Sequence, residues 1–324
     1  MLRRAFLVLG IAGGLAVWSA VAQGQSAWPT ARPIRWIVPF PAGGATDVVS
    51  RVAAQQLGQA LGQSIVVENV TGAAGAVGVD RLSKSAPDGY TVGTSANSVQ
   101  AVMPHQSEAP LPFDTIKSFT PLAGIASFQY VFDVAPGSGI RSVGDLITKA
   151  RTGAGKVSFG SSGLGTGSHL AGILLAEKTG TKFTDVPYKG GAPALADLMG
   201  GHIDFVADPV GGSIGLIRSG KLVPIAMSGS KRHAAFPDVP LVSESVTGYD
   251  HVGWFGLYGP AGMPPEIVSR VSAEMAKVQR SPEYLAALEK LGYEPWTMSS
   301  SQLAEQQLKE LGQWGEILRR RAKK

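Results

Sequence analysis

The chain contains no cysteine. That excludes disulfide staples, thiol nucleophiles, iron–sulfur clusters and structural zinc. Stability has to come from buried apolar surface, and 324 residues can supply a core divided between two lobes. Histidine is scarce too. His105, His169, His202, His233 and His251 are scattered, and none stands at i, i+4 with a second ligand residue, so no metal site is expected. No repeat of about 20–50 residues marks a solenoid. The net charge of +5 is carried by the two ends, by Arg3 and Arg4 and by Arg319, Arg320, Arg321, Lys323 and Lys324. The body therefore lacks a basic face, and no nucleic-acid partner is expected. The basic tail reads as the solvated, dipole-favoured end of a last helix.

What is present begins with a leader. Two arginines precede an apolar run over 5–18, and Ala20-Val21-Ala22 offers small residues for cleavage. This is the pattern of a secretory signal peptide over 1–22, cleaved near Ala22. The apolar run is shorter than the roughly 20 residues a spanning helix needs, and nothing later is long and apolar enough to cross a bilayer. The expectation is an exported, soluble mature protein.

Periodicity then alternates between strand and helix. Strands are expected over 34–40, 64–70 and 90–94. A helix over 46–61, closed by Gly62, and a short one ending at Leu82 separate them. Residues 97–121 are rich in turns. An extended stretch over 121–134 crosses to a second unit with strands over 156–159, 183–187, 203–207 and 222–227. Helices are expected there over 143–151, 166–178, 193–199 and 213–219. A strand over 251–258 returns, and helices over 264–279, 282–291 and 302–323 complete the chain. The fold class is α/β, a doubly wound arrangement in two hinged lobes with two crossover segments. Lobe 1 is assigned to 28–125 plus 252–324 and lobe 2 to 126–251. Ligands of open α/β sheets sit outside the carboxyl ends of the strands.

Two glycine-rich turns lie at such ends. Phe159-Gly160-Ser161-Ser162-Gly163-Leu164-Gly165-Thr166-Gly167-Ser168-His169 leads from a strand into a helix. Free N–H groups and the helix dipole make that an anion site, although the same residues suit a plain tight turn. His169, in the first helical turn, is placed to orient the loop. In Pro39-Phe40-Pro41-Ala42-Gly43-Gly44-Ala45-Thr46-Asp47, the glycines permit close backbone approach, Thr46 can cap, and Asp47 complements the dipole. Here too an ordinary turn stays open.

Other patterns are weaker. Gly72-Ala73-Ala74-Gly75-Ala76-Val77-Gly78 has GxxGxxG spacing and no ribose acid downstream, so close helix packing is preferred to dinucleotide binding. Ser161 and Ser162 occupy a strand-to-helix turn, but Gly160-Ser161-Ser162-Gly163-Leu164 is not a G-x-S-x-G elbow, and the later segments offer no compelling acid-then-histidine pair. Asp204 and Asp208 share one face of a strand. Asp208 is placed either to meet a ligand amine or hydroxyl or to cap the helix near Ser213.

Taken in order, these stretches resemble the periplasmic solute receptors of tripartite tricarboxylate transporters, the Bug proteins. The matching residues include Pro39 to Gly44 with Asp47, Glu68-Asn69 before Gly72, Pro87-Asp88-Gly89-Tyr90, Ser161 to Gly165 with His169, Val186-Pro187-Tyr188-Lys189-Gly190-Gly191, Gly200-Gly201-His202-Ile203-Asp204 and Trp254-Phe255-Gly256. The resemblance implies a Venus-flytrap receptor of the type II-like kind, each lobe a mostly parallel sheet flanked by helices. It implies a monomer in the periplasm, without catalysis, cofactor or metal. It would bind a small carboxylate (a di- or tricarboxylate, an aromatic acid or an acidic amino acid) and deliver it to membrane transporter subunits. Ser161, Ser162, Gly163, Gly165 and Thr166 would take one ligand carboxylate. Phe40, Pro41, Ala42, Gly43, Gly44 and Asp47 would reach the rest, with Asn97, His169, Tyr188 and Asp208 around them. The segments Ser95 to Gln100 and Pro209 to Gly212 depart from the family pattern. A sensor for a membrane signalling receptor and a secreted serine hydrolase are the rival readings.

Overall fold

The computed structural model describes residues 28–106, 110–153 and 157–322. The signal-peptide expectation, Lys156 and the last two lysines lie outside them.

The first strand, β1 (Ile34–Val38), buries Ile34, Trp36, Ile37 and Val38. Helix α1 (Ala45–Leu61) buries Val49, Ala53, Leu57 and Leu61 at helical spacing and ends on Gly62 at φ 65°. That left-handed cap costs glycine no Cβ clash. β2 (Ile65–Asn69), α2 (Ala76–Ser83) and β3 (Thr91–Ala96) follow. β1 lies parallel between β2 and β3. A buried chain ties helix to sheet: Trp36 Nε1 donates to Thr94 Oγ1 at 2.8 Å, and Thr94 Oγ1 lies 2.6 Å from Ser50 Oγ.

Residues 98–105 are helical rather than a run of turns. They form a π-helical turn over Ser98–Val102 and a 3₁₀ turn over Met103–His105. Val99, Gln100, Ala101 and Val102 are buried there. The prolines that suggested turns lie at or beyond the end of this coil.

The extended stretch of the sequence becomes one long strand, β4 (Phe119–Val134). The chain continues through α3 (Val143–Arg151), β5 (Ser158–Ser161), α4 (Gly167–Thr179), β6 (Thr184–Pro187) and α5 (Gly191–Met199). β7 (Phe205–Pro209), α6 (Val210–Arg218), β8 (Val223–Met227) and the one-turn α7 (Val242–Ser245) come next. β9 (Val252–Pro260), α8 (Pro265–Val278), α9 (Pro282–Lys290), β10 (Glu294–Pro295) and α10 (Ser300–Ala322) complete it. α7 and β10 have no counterpart in the sequence reading, being too short for a period to register.

All ten strands join one curled sheet in the order β2-β1-β3-β9-β4-β7-β5-β6, with β8 and β10 both paired to β4. The wings are parallel: β1 with β2 and β3, β5 with β6 and β7. The centre is antiparallel, because β4 leaves the first wing and β9 returns to it. Residues 119–129 of β4 pair with β9, and residues 130–134 pair with β7 and β8. Ser228 stitches the crossing: its Oγ accepts from Tyr130 N at 2.8 Å and donates to His251 O.

Candidate functional site

β5 ends in Ser161, and the chain turns sharply before α4. Gly163 at φ 121° and Gly165 at φ 77° hold backbone that a Cβ would strain. Thr166 caps α4. Its Oγ1 accepts from His169 N at 3.4 Å and donates to Gly163 O at 2.7 Å. His169 Nδ1 accepts the Gly165 N–H at 3.1 Å, so the ring proton lies on Nε2, which faces Asp185 Oδ2 at 3.0 Å. Thr166 and His169 thus lock the loop from behind.

The loop before α1 is held by Asp47, which is 2% exposed. Its carboxylate accepts from Gly43 N at 2.9 Å, Arg51 Nε at 3.0 Å and Asn69 Nδ2 at 2.8 Å. Asn69 Nδ2 also donates to Phe40 O at 2.9 Å. Burial pushes the Asp47 carboxyl up, but the bonds from Arg51, Gly43 and Asn69 outweigh it and hold its pKa below the usual value.

Between these loops lies a cavity of about 470 Å³. Ala45 and Thr46 at the start of α1 border it on one side, and Thr166, Gly167 and Ser168 at the start of α4 on the other. Ala73 and Ala74 supply a third edge with left-handed φ values of 45° and 52°, uncommon for alanine. Phe40, Phe128, Tyr130 and Phe255 form the floor, with Met103, Leu111 and Leu164 around it. Among the described residues, none that lines it carries a formal charge. The Tyr130 ring stacks on His251, and its hydroxyl lies so close to Gly167 that a Cβ there would overlap it. That hydroxyl has no hydrogen-bond partner among the described residues.

Of the residues the sequence singles out, Phe40, Asn97, Ser162, Gly165 and Thr166 line the cavity. Gly165 does so with its N–H committed to His169, so it is not a free donor. The Asn97 amide donates to Val252 O at 3.2 Å. Pro41, Ala42 and Gly43 are exposed, Gly44 is half-buried, and none of the four lines the cavity. Asp47, Gly163 and His169 stand behind the loops as supports. Ser161 is fully buried, its Oγ donating to Asp185 Oδ1 at 3.3 Å. Tyr188 does not line the cavity; its hydroxyl donates to Asp197 Oδ2 at 2.7 Å.

Asp208 also lies off the cavity, beside Asp133 on the neighbouring strand. Burial pushes its pKa up to about 7, with Ser213 opposing the shift. Asp133, likewise pushed up by burial, has no hydrogen-bond partner for either carboxyl oxygen among the described residues. Asp204, its companion on the strand, instead pairs with Lys149 Nζ at 2.6 Å and caps Ser158 N.

Sequence reasoning missed most of the apolar floor. Phe128 and Tyr130 read only as part of a crossing strand, Phe255 as part of the return strand, and Met103 and Gln106 as turn. The alternation of β4 was the one available signal, since it puts Phe128 and Tyr130 on one face. The Gly72–Gly78 stretch was assigned to helix packing. A Cβ on Gly78 would indeed collide with Val70 and Pro39, but Ala73 and Ala74 also reach the cavity.

Chemically, the site offers backbone N–H groups, hydroxyls and apolar surface. A nucleophile is not assembled. The nitrogen that would serve Ser161 as base faces Asp185, and the other ring nitrogen accepts from Gly165. Two helix N-termini, with the Arg51 charge beside α1 already paired to Asp47, suit an uncomplicated anion.

The profile of the Tripartite tricarboxylate transporter family receptor matches residues 49–322. The chain belongs to this receptor family. A Cupriavidus necator protein described as a UPF0065 protein in the gbd 5' region is 35% identical over 311 residues, covering 94% of this receptor and 93% of the relative. The solved structure of R. palustris Rpa4515 with adipate has a TM-score of 0.80 at 31% identity, over 90% of this receptor and 97% of that chain. The periplasmic binding protein BugD has a TM-score of 0.76 at 29% identity, over 90% and 97%. The expected fold class and family therefore hold for this receptor.

Proposed function

We propose that the receptor is exported to the periplasm, with its leader cleaved near Ala22. It binds a small carboxylate, as a monomer and without altering it, and hands it to the membrane subunits of a tripartite tricarboxylate-type transporter. One observation carries this reading: a cavity lies between the N-termini of α1 and α4, and among the described residues its lining includes hydrogen-bond donors and no charged side chain. A carboxylate taken out of water needs such donors, and neutral N–H groups supply them without the cost of burying a cation. The α4 start, with Ser162, Thr166, Ser168 and the Tyr130 hydroxyl, is the proposed carboxylate end. Gly163 and His169 position it, and Phe40 and Asn97 face the remainder of the solute. Lobe 1 is 28–125 plus 252–324 and lobe 2 is 126–251. They close as a hinge about β4 and the segment between Ser228 and Val252, with the solute favouring the closed form.

The test is a thermal-shift and calorimetric screen of the mature chain after unfolding, dialysis and refolding to strip carried ligand. Binding to the native state raises the apparent melting temperature by mass action. A broad carboxylate panel of which no member shifts the stripped protein would sink the reading. Capture of transporter subunits by the loaded receptor tests delivery.

A further inference from the structure

We infer that Gln106 is a further solute-binding residue. Its side-chain amide, carried by the turn that follows β3, reaches across the cavity to the loop before α4 and donates to the solute carboxylate there. This rests on the receptor reading above and adds a selectivity element outside the two glycine-rich turns.

Position 165 shows the reach. A Cβ on Gly165 would collide with Gln106 Oε1 and would meet Cδ at 3.3 Å and Nε2 at 3.8 Å. The whole amide therefore lies against the Gly165 Cα. Both residues line the cavity, with Ser162 and Thr166 beside them. Gln106 is also exposed, so it stands at the mouth of the cavity rather than on its floor.

Position 167 repeats the arrangement. There a Cβ would overlap the Tyr130 hydroxyl. Gly167 is not among the glycines of positive φ, so its backbone conformation does not require glycine, whereas the hydroxyl above it does. Two polar side chains from outside the loop thus occupy the Cβ space of two glycines at the start of one helix. An amide and a hydroxyl converge where the α4 dipole already favours an anion.

Both sides of this contact are held from behind. His105 Nε2 lies 2.8 Å from Leu311 O, and its ring packs against Gly315 of α10, where a Cβ would come within 2.8 Å of Cε1. Gln106 N donates to Met103 O at 3.1 Å. Across the cavity, Gly165 N donates to His169 Nδ1 at 3.1 Å. With both backbones pinned, the Gln106 side chain is the part that moves. Its NH2 group has two N–H donors, and it meets a carboxylate without the cost of burying a cation. Under the lobe division proposed above, Gln106 belongs to lobe 1 and Gly165 to lobe 2. Their contact is then made in the closed form and ties solute capture to closure.

The experiment is calorimetry on the stripped mature chain with benzoate, hexanoate, adipate, malate, citrate and glutamate, with the same titrations on Gln106→Ala and Gln106→Glu. The position is exposed, so both variants are expected to melt as wild type does without ligand. Whichever acid wild type binds tightest should bind Gln106→Ala about tenfold more weakly, the loss of one hydrogen bond to a charged acceptor. Gln106→Glu is the sharper variant. It keeps the shape that rests on Gly165 but replaces the NH2 donor by a carboxylate oxygen, which repels the solute's own. It should bind several-fold more weakly still than Gln106→Ala. An amide that merely fills the mouth would let Gln106→Glu match wild type. That result, or Gln106→Ala within about twofold of wild type, would overturn this inference and leave the receptor reading standing. Wild type that binds none of the six acids would also overturn it, and the broader carboxylate screen then decides the receptor reading separately.

Discussion

The imidazole of His251 lies flat on the phenol of Tyr130, with ring centroids 4.9 Å apart and planes 9° from parallel. The pair joins the strand crossing to the start of α4. His251 Nε2 donates to Gly167 O at 2.9 Å, while the Tyr130 hydroxyl covers the same glycine. Burial pushes the His251 pKa down to about 4, against the effect of the Gly167 bond, so the ring is neutral at ordinary pH. The residue that leads into β9 is thereby joined to the α4 edge of the cavity.

His251→Phe keeps the stack and loses the bond, leaving a buried carbonyl unpaired. The expected cost is about 1–3 kcal/mol at pH 7.5, read by urea denaturation. The sign with pH is fixed. From about 6.5 down to about 4 the unfolded wild-type chain takes up a proton that the native ring does not, so wild-type stability falls. Phenylalanine has no such loss, and the gap between the two should narrow on acidification. A constant gap would mean that His251 titrates normally.

Asp208→Asn should have the opposite profile. The native carboxyl holds its proton up to about 7, whereas the unfolded one releases it near 3.8. Between those values the native state binds more protons, so wild-type stability falls as pH rises. The asparagine variant is expected to exceed wild type at pH 8 by roughly 1–4 kcal/mol, one pKa unit being about 1.4 kcal/mol. That advantage should shrink as pH approaches 4. A variant less stable than wild type at pH 8 would contradict the buried, protonated state.

Gly165→Ala and Gly43→Ala separate strain from site. Both positions have similar φ, 77° and 78°, but an added Cβ meets the Gln106 side chain at Gly165 and nothing at Gly43. Each should lose about 1–2 kcal/mol of stability to left-handed backbone. Only Gly165→Ala should also weaken carboxylate binding, by about tenfold. Equal binding losses would place the two loops on the same footing.

Ala74→Gly relieves a left-handed alanine at φ 52°. Stability should rise by up to about 1 kcal/mol, measured as melting temperature without ligand. Affinity for the proposed carboxylate should fall at the same time, because a methyl leaves the cavity edge. Gains in both would argue that the strain serves no contact.

The order of strands and helices, the two glycine-rich turns and the family were legible in the residues themselves. Period, caps and turn chemistry act over a few neighbours. Helix α3 has the bounds its periodicity predicts, and Gly62 caps α1 as its position suggests. The function of each side chain in those turns was less legible. Asp47, Gly165 and His169 stand at the loops that the sequence marks, yet their hydrogen-bonding groups are spent on one another and on Asn69, Arg51 and Asp185. The sequence alone determined an α/β receptor with two anion-ready helix starts. Only the tertiary structure decided that Phe128, Tyr130 and Phe255, from two strands far apart in the chain, form the floor between them, and that Tyr188 and Asp208 stand aside. The physical reason is distance along the chain. Which side chains share a cavity depends on how β4 and β9 pair in the sheet, and no local period records that pairing.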